Sequence, residues 1–132
     1  MELERFMASH SKKDWSTGSV DCVLTIADWL VWCGFPDVAA PFRGTYDYHE
    51  AGAKLMIDEG GAVAFFDNRA ALIGLKRIAM PRRGSVAIIG SITKTDRQLG
   101  AIFDGRRWQI RYSRGFHPMI GKPHGIWSVP NG

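Results

Sequence analysis

Cys22 follows Asp21 in the run Gly18-Ser19-Val20-Asp21-Cys22-Val23, where an apolar helical pattern begins. A helix N-terminus offers free backbone N–H groups and the positive end of the dipole. Both favour the thiolate, the nucleophilic form of cysteine. Such a cysteine is a catalytic nucleophile when a histidine lies within hydrogen-bond reach and a third polar group orients it. The chain holds His10, His49, His117 and His124. His117 precedes a proline and His124 a glycine, so both read as loop residues. All four read first as surface histidines, with His117 and His124 the bases open to Cys22 if the site works. The same two make a poor metal pair, because the loop between them fixes no geometry and no further ligand is evident. No metal and no cofactor is expected.

Cys33 closes the same helical pattern, where the dipole disfavours a thiolate, and reads as a small apolar residue. On one helix the two cysteines stand roughly 16 Å apart, and a disulfide needs Cα atoms within about 7 Å. They are not expected to pair, and there is no Cys-x-x-Cys motif. Arg43, between Phe42 and Gly44, has three readings: a carboxylate binder, a brace for the Asp21 end of the helix, or a surface arginine at a turn. Gly60-Gly61 is a helix terminator, not a phosphate loop, since no Gly-Lys-Ser/Thr follows.

These residues need elements to hold them. Glu2 to His10 reads as a short helix, and Ser11 to Ser19 as polar turns. Asp21 to Cys33 reads as a helix capped by Asp21 and stopped by Gly34, with Cys22, Ile26, Trp29 and Cys33 on one face. Phe35-Pro36-Asp37 is a turn. Thr45 is a candidate cap for a helix over 46–58, and Asn68 for a third through Ile78. After Pro81-Arg82-Arg83-Gly84 come short β-rich runs at 86–89, 99–103 and 108–112, with a hairpin signal at Asp104-Gly105 and a last strand over 125–129. Helices first and an antiparallel sheet second predict an α+β fold.

The 132 residues form one domain, and 45% apolar against 23% charged residues allow a real core. The net charge of +4 comes from short basic groups, none of which reaches five in a row. Arg106, Arg107, Arg111 and Arg114, with Trp108, Tyr112 and Phe116 among them, leave a small nucleic-acid-binding protein as one alternative. No helix-turn-helix, zinc-finger or RNA-binding signature supports it. Met1-Glu2-Leu3-Glu4-Arg5 is acidic where a secretory leader is basic, and no apolar run approaches a membrane span. Synthesis in a reducing cytoplasm is expected.

The run ending Asp21-Cys22, then Pro81-Arg82-Arg83-Gly84-Ser85-Val86-Ala87, then Gln98-Leu99-Gly100-Ala101-Ile102-Phe103-Asp104-Gly105, resembles the NlpC-type papain-like cysteine peptidases. The likeness extends over residues 15–129 to a small branch of phage and prophage tail-associated proteins. It is carried there by Ala27-Asp28-Trp29, Arg43-Gly44-Thr45-Tyr46, Gly60-Gly61 and Gly125-Ile126-Trp127-Ser128-Val129. It implies a papain-like domain in which the helix starting at the cysteine packs on an antiparallel sheet. The family's histidine falls on Gln98, its sheet-opening aspartate on Ser85, and its third polar position near Ile110. Glutamine accepts no proton at neutral pH. The resemblance therefore implies a degenerate site at Cys22 and Gln98, in a structural component of a phage tail tip. Its partners would be other tail proteins of hub, distal-tail or tape-measure type, and its place the virion tail. The alternative is an active peptidase or amidase on bacterial cell-wall peptide. Most of the five tryptophans should be core, with Trp108 or Trp127 anchoring a partner contact.

Overall fold

The computed structural model describes residues 2–91 and 97–130. Among them the chain forms helices α1 (Glu2–His10), α2 (Cys22–Trp32), α3 (His49–Ile57) and α4 (Ala62–Leu72). Strands β1 (Val86–Gly90), β2 (Gln98–Phe103), β3 (Trp108–Tyr112), β4 (Gly115–Met119) and β5 (Pro123–Trp127) follow. They build one antiparallel sheet in the order β4-β3-β2-β1-β5. The α+β expectation holds, and so does the packing of α2 on the sheet.

Asp21 caps α2 as expected, accepting from Val23 N (3.1 Å) and Leu24 N (2.8 Å). Gly34, at φ +97°, stops it. Ile26, Trp29 and Leu30 are buried with Val86, Ile88, Ile102 and Trp127 from one sheet face. Trp29 Nε1 donates to Gly84 O at 2.9 Å and pins the helix to the turn that opens the sheet. Ala87, Ile89, Ala101, Ile110 and Ile126 form a second core on the other face, closed by Trp108. That double burial is why β1 reads as an unbroken apolar run.

Four expectations need correction. Thr45 does not cap a helix: its hydroxyl donates to Phe42 O (2.6 Å), and α3 starts three residues beyond the expected 46, at His49. The third predicted helix starts at Ala62, not Asn68, because Gly60 and Gly61, both at positive φ, end α3 and turn straight into α4. Asn68 instead reaches back to Glu59 (2.9 Å). His117 and His124 are strand residues, on β4 and β5. Pro118 hides β4 in the sequence, yet fits it, because β4 is an edge strand and can spare an N–H. The final strand begins at Pro123 rather than Gly125.

Trp127 is 1% and Trp108 9% exposed, so neither anchors a partner; the exposed tryptophan is Trp32, at 43%. Among the described residues no helix is long and apolar enough to cross a membrane.

Candidate functional site

Cys22 is the first residue of α2 and is half-buried. Strand β2 lies across it. A Cβ on Gly100 would stand 2.8 Å from Cys22 O and 2.7 Å from Ile26 Cδ1, so only glycine allows the helix this close to the strand. On the other side Gly18, at φ +88°, lies against the Tyr46 backbone, and Gly44 N donates to Gly18 O (2.9 Å). The loop before α3 is thereby closed onto the start of α2.

The Asp21 carboxylate is the centre of this corner. Besides capping α2 it accepts from Gly18 N (2.9 Å) and from the Tyr46 hydroxyl (2.7 Å). Burial and the Asp21 charge hold the Tyr46 phenol protonated far above its usual range. Burial also pushes the Cys22 thiol up to about 11; the Gly100, Cys22 and Val23 amides pull it down, and the Asp21 charge adds to the rise. The expected gain from the helix N-terminus is present but outweighed.

Gln98, at the start of β2, lines the same cavity of about 330 Å³ as Cys22, Asp21 and Tyr46. Its Nε2 donates to Ser91 O at 2.8 Å. Ser85, at the sheet-opening position, closes its own turn by accepting from Arg82 N (3.0 Å). Ile110 packs into the far core, while its neighbours Gln109 and Arg111 reach Asp104 and His10.

Neither His117 nor His124 lines the Cys22 cavity. His117 is exposed, edge-on to Tyr112. His124 Nε2 bonds Gly90 O at 2.8 Å. His49, at the N-terminus of α3, does line the cavity. Its place depends on where α3 begins, which no local signal marks.

His10 is the largest departure from a surface histidine. It is 2% exposed and bonds Asp28 Oδ2 at 2.8 Å through Nε2. Arg111 donates to its Nδ1 (3.1 Å), which fixes the neutral tautomer with the proton on Nε2. Arg43 reaches both Asp28 (2.7 Å) and Asp37 (2.8 Å), and its hydrogen bond holds the Asp37 carboxyl below the usual range. Arg43 is therefore a carboxylate binder and not a brace for Asp21. Arg111, 1% exposed, leaves the basic group that would have faced nucleic acid. Cys33 is free like Cys22, and burial pushes it up to about 11 as well.

No group of three or more metal-ligating side chains occurs among the described residues. One family model matches the chain, over residues 1–129, and its description is a domain of unknown function, DUF6950. No curated protein and no solved structure matches it.

Proposed function

The chain belongs to the DUF6950 family, and we propose that it is a papain-like domain of NlpC type serving as a structural component of a phage tail tip, with a degenerate site at Cys22. The observation that carries this reading is Gln98. It stands on β2, in the cavity of Cys22, where the resemblance calls for the histidine base, and its amide is committed to Ser91 O. An amide nitrogen donates and takes no proton, so nothing on β2 can deprotonate the thiol. Cys22 stays a thiol near neutral pH, and the thiol is a poor nucleophile. Loss of the base typically costs several orders of magnitude in turnover. The tail-tip setting rests on the resemblance to phage tail-associated proteins.

The test has two arms. Digestion of purified cell wall by the native chain should match that by Cys22→Ser, and the protein should be found in purified virions. Peptide release by the native chain, abolished in Cys22→Ser, would overturn the degenerate site. Absence from the particle would overturn the tail-tip setting.

One observation favours an active cysteine peptidase or amidase instead: His49 lines the cavity that holds Cys22. In that case the base would come from α3 rather than the sheet. His49→Ala would then abolish the same release that Cys22→Ser abolishes, and His117→Ala would leave it intact.

A further inference from the structure

Two turns far apart in sequence meet at one end of the sheet. One precedes β1 (81–84) and the other joins β2 to β3 (104–107). Gly84 N donates to Phe103 O and Phe103 N to Ser85 O, both at 2.8 Å. Arg83 donates from Nη1 to Asp104 O at 3.4 Å and pairs with Glu4 of α1. These contacts gather Arg82, Arg83, Arg106 and Arg107 on one exposed tip.

Both turns are fixed from within. Ser85 Oγ holds Arg82 N at 3.0 Å. The Asp104 carboxylate accepts from Arg106 N (2.8 Å), Arg107 N (2.7 Å) and Gln109 Nε2 (2.9 Å), so its hydrogen-bonding capacity is spent on its own hairpin. Arg83 has its carboxylate in Glu4. Arg82, Arg106 and Arg107 form no ion pair among the described residues. Although the Asp104 charge acts on Arg107, three arginines on hydrogen-bonded turns, none with an ion-pair partner among the described residues, match planar carboxylates.

We propose that this arginine tip docks an acidic segment of a partner protein, whose carboxylates Arg82, Arg106 and Arg107 receive as Arg83 receives Glu4. Nucleic acid fits it less well. Single strands need exposed rings on which bases stack, and duplexes a longer track of cations. The rings beside this tip, Phe103 and Trp108, pack on each other at 5.0 Å, with Trp108 buried. Arg111, which would extend the track along β3, is buried against His10. The proposal uses no residue of the Cys22 corner and stands whether or not that corner is catalytic.

The experiment measures the anisotropy of a labelled polyglutamate peptide, and of a labelled short DNA duplex, on the full chain at low and at physiological salt. The native chain should bind the peptide more tightly than the duplex, and more weakly as salt rises. R82A/R106A/R107A should lose roughly tenfold or more in peptide affinity, while Arg114→Ala, an exposed arginine elsewhere, should lose nothing. Circular dichroism checks the fold; if the triple variant unfolds, the three single variants are measured and each must weaken binding. Four results overturn the proposal: no peptide binding by the native chain, unchanged affinity in the variants, an equal loss in Arg114→Ala, or tighter binding of the duplex, which would assign the tip to nucleic acid.

Discussion

The Cys22 sulfur feels burial and the Asp21 charge against three backbone amides, and its pKa settles at about 11, against an ordinary 9.0. Alkylating reagents consume thiolate only. In a Cys33→Ala background, Cys22 should therefore react on the order of a hundredfold more slowly near neutral pH than a free thiol. The rate should climb as pH rises toward 11; a rate equal to that of the free thiol would show that burial does not govern this sulfur. The same shift bears on stability. The folded pKa is raised, so the buried thiol contributes fully below about pH 9, and the contribution is lost as pH rises through about 11. Denaturant titrations should show the native chain losing its margin over Cys22→Ser across that window. The cap at Asp21 was legible because capping is local: acceptor and donors lie within three residues. The apolar face that carries Cys22 was legible from helical spacing, but the wall that buries it was not, because it comes from β2, some eighty positions later.

Helix α2 meets β2 at Gly100 with no room for a methyl group. Gly100→Ala should push the Cys22 carbonyl and Ile26 off the strand and cost about 1–3 kcal/mol, read as a lower denaturation midpoint. Wild-type stability in this variant would mean that the helix does not lie this close. At the other end of the contact, Asp21→Ala removes a cap worth roughly 0.5–2 kcal/mol and strands the Gly18 amide and the Tyr46 hydroxyl. Asp21→Asn keeps an acceptor there and should be the milder of the two in the same melt. Helices and strands were readable where a local device marks them, such as the Asp104-Gly105 hairpin or the Gly34 stop. They were misread where the device serves two elements. Gly60-Gly61 looks like an end and is also a beginning. In β4, Gly115-Phe116-His117-Pro118-Met119 lacks a strand's alternation because that strand lies at the edge, against α1 and Ser11.

Across the whole molecule, one polar chain runs from Arg111 on β3 through His10 on α1 and Asp28 on α2 to Arg43 and Asp37 in the loop beyond. Every link but the last joins a different element. Removing Arg111 would leave the buried His10 Nδ1 without its donor, and Arg111→Ala should cost about 1–3 kcal/mol. Arg111→Lys should recover little, because an ammonium cannot serve His10 and the carbonyls of His10, Lys13 and Tyr112 from one planar fork. Equal stability of Lys and wild type in a urea titration would make the link a matter of charge alone. Of this chain only the carboxylate-binding reading of Arg43 was legible in the sequence; its other members looked like ordinary polar or basic positions on their own elements.

The link between His10 and Arg111 spans 101 positions. During translation the ribosome releases α1 and α2 long before the strand that completes their packing. A nascent chain halted after β2 would carry His10 and Asp28 without Arg111. The apolar side of α1 would lack Phe116, which packs against Phe6 and His10. Such a chain could seat α2 on β1 and β2 but would leave α1 without its far wall, and long-range closure of this kind slows folding. The docking of α1 is therefore completed late in synthesis, only once β3 and β4 have emerged.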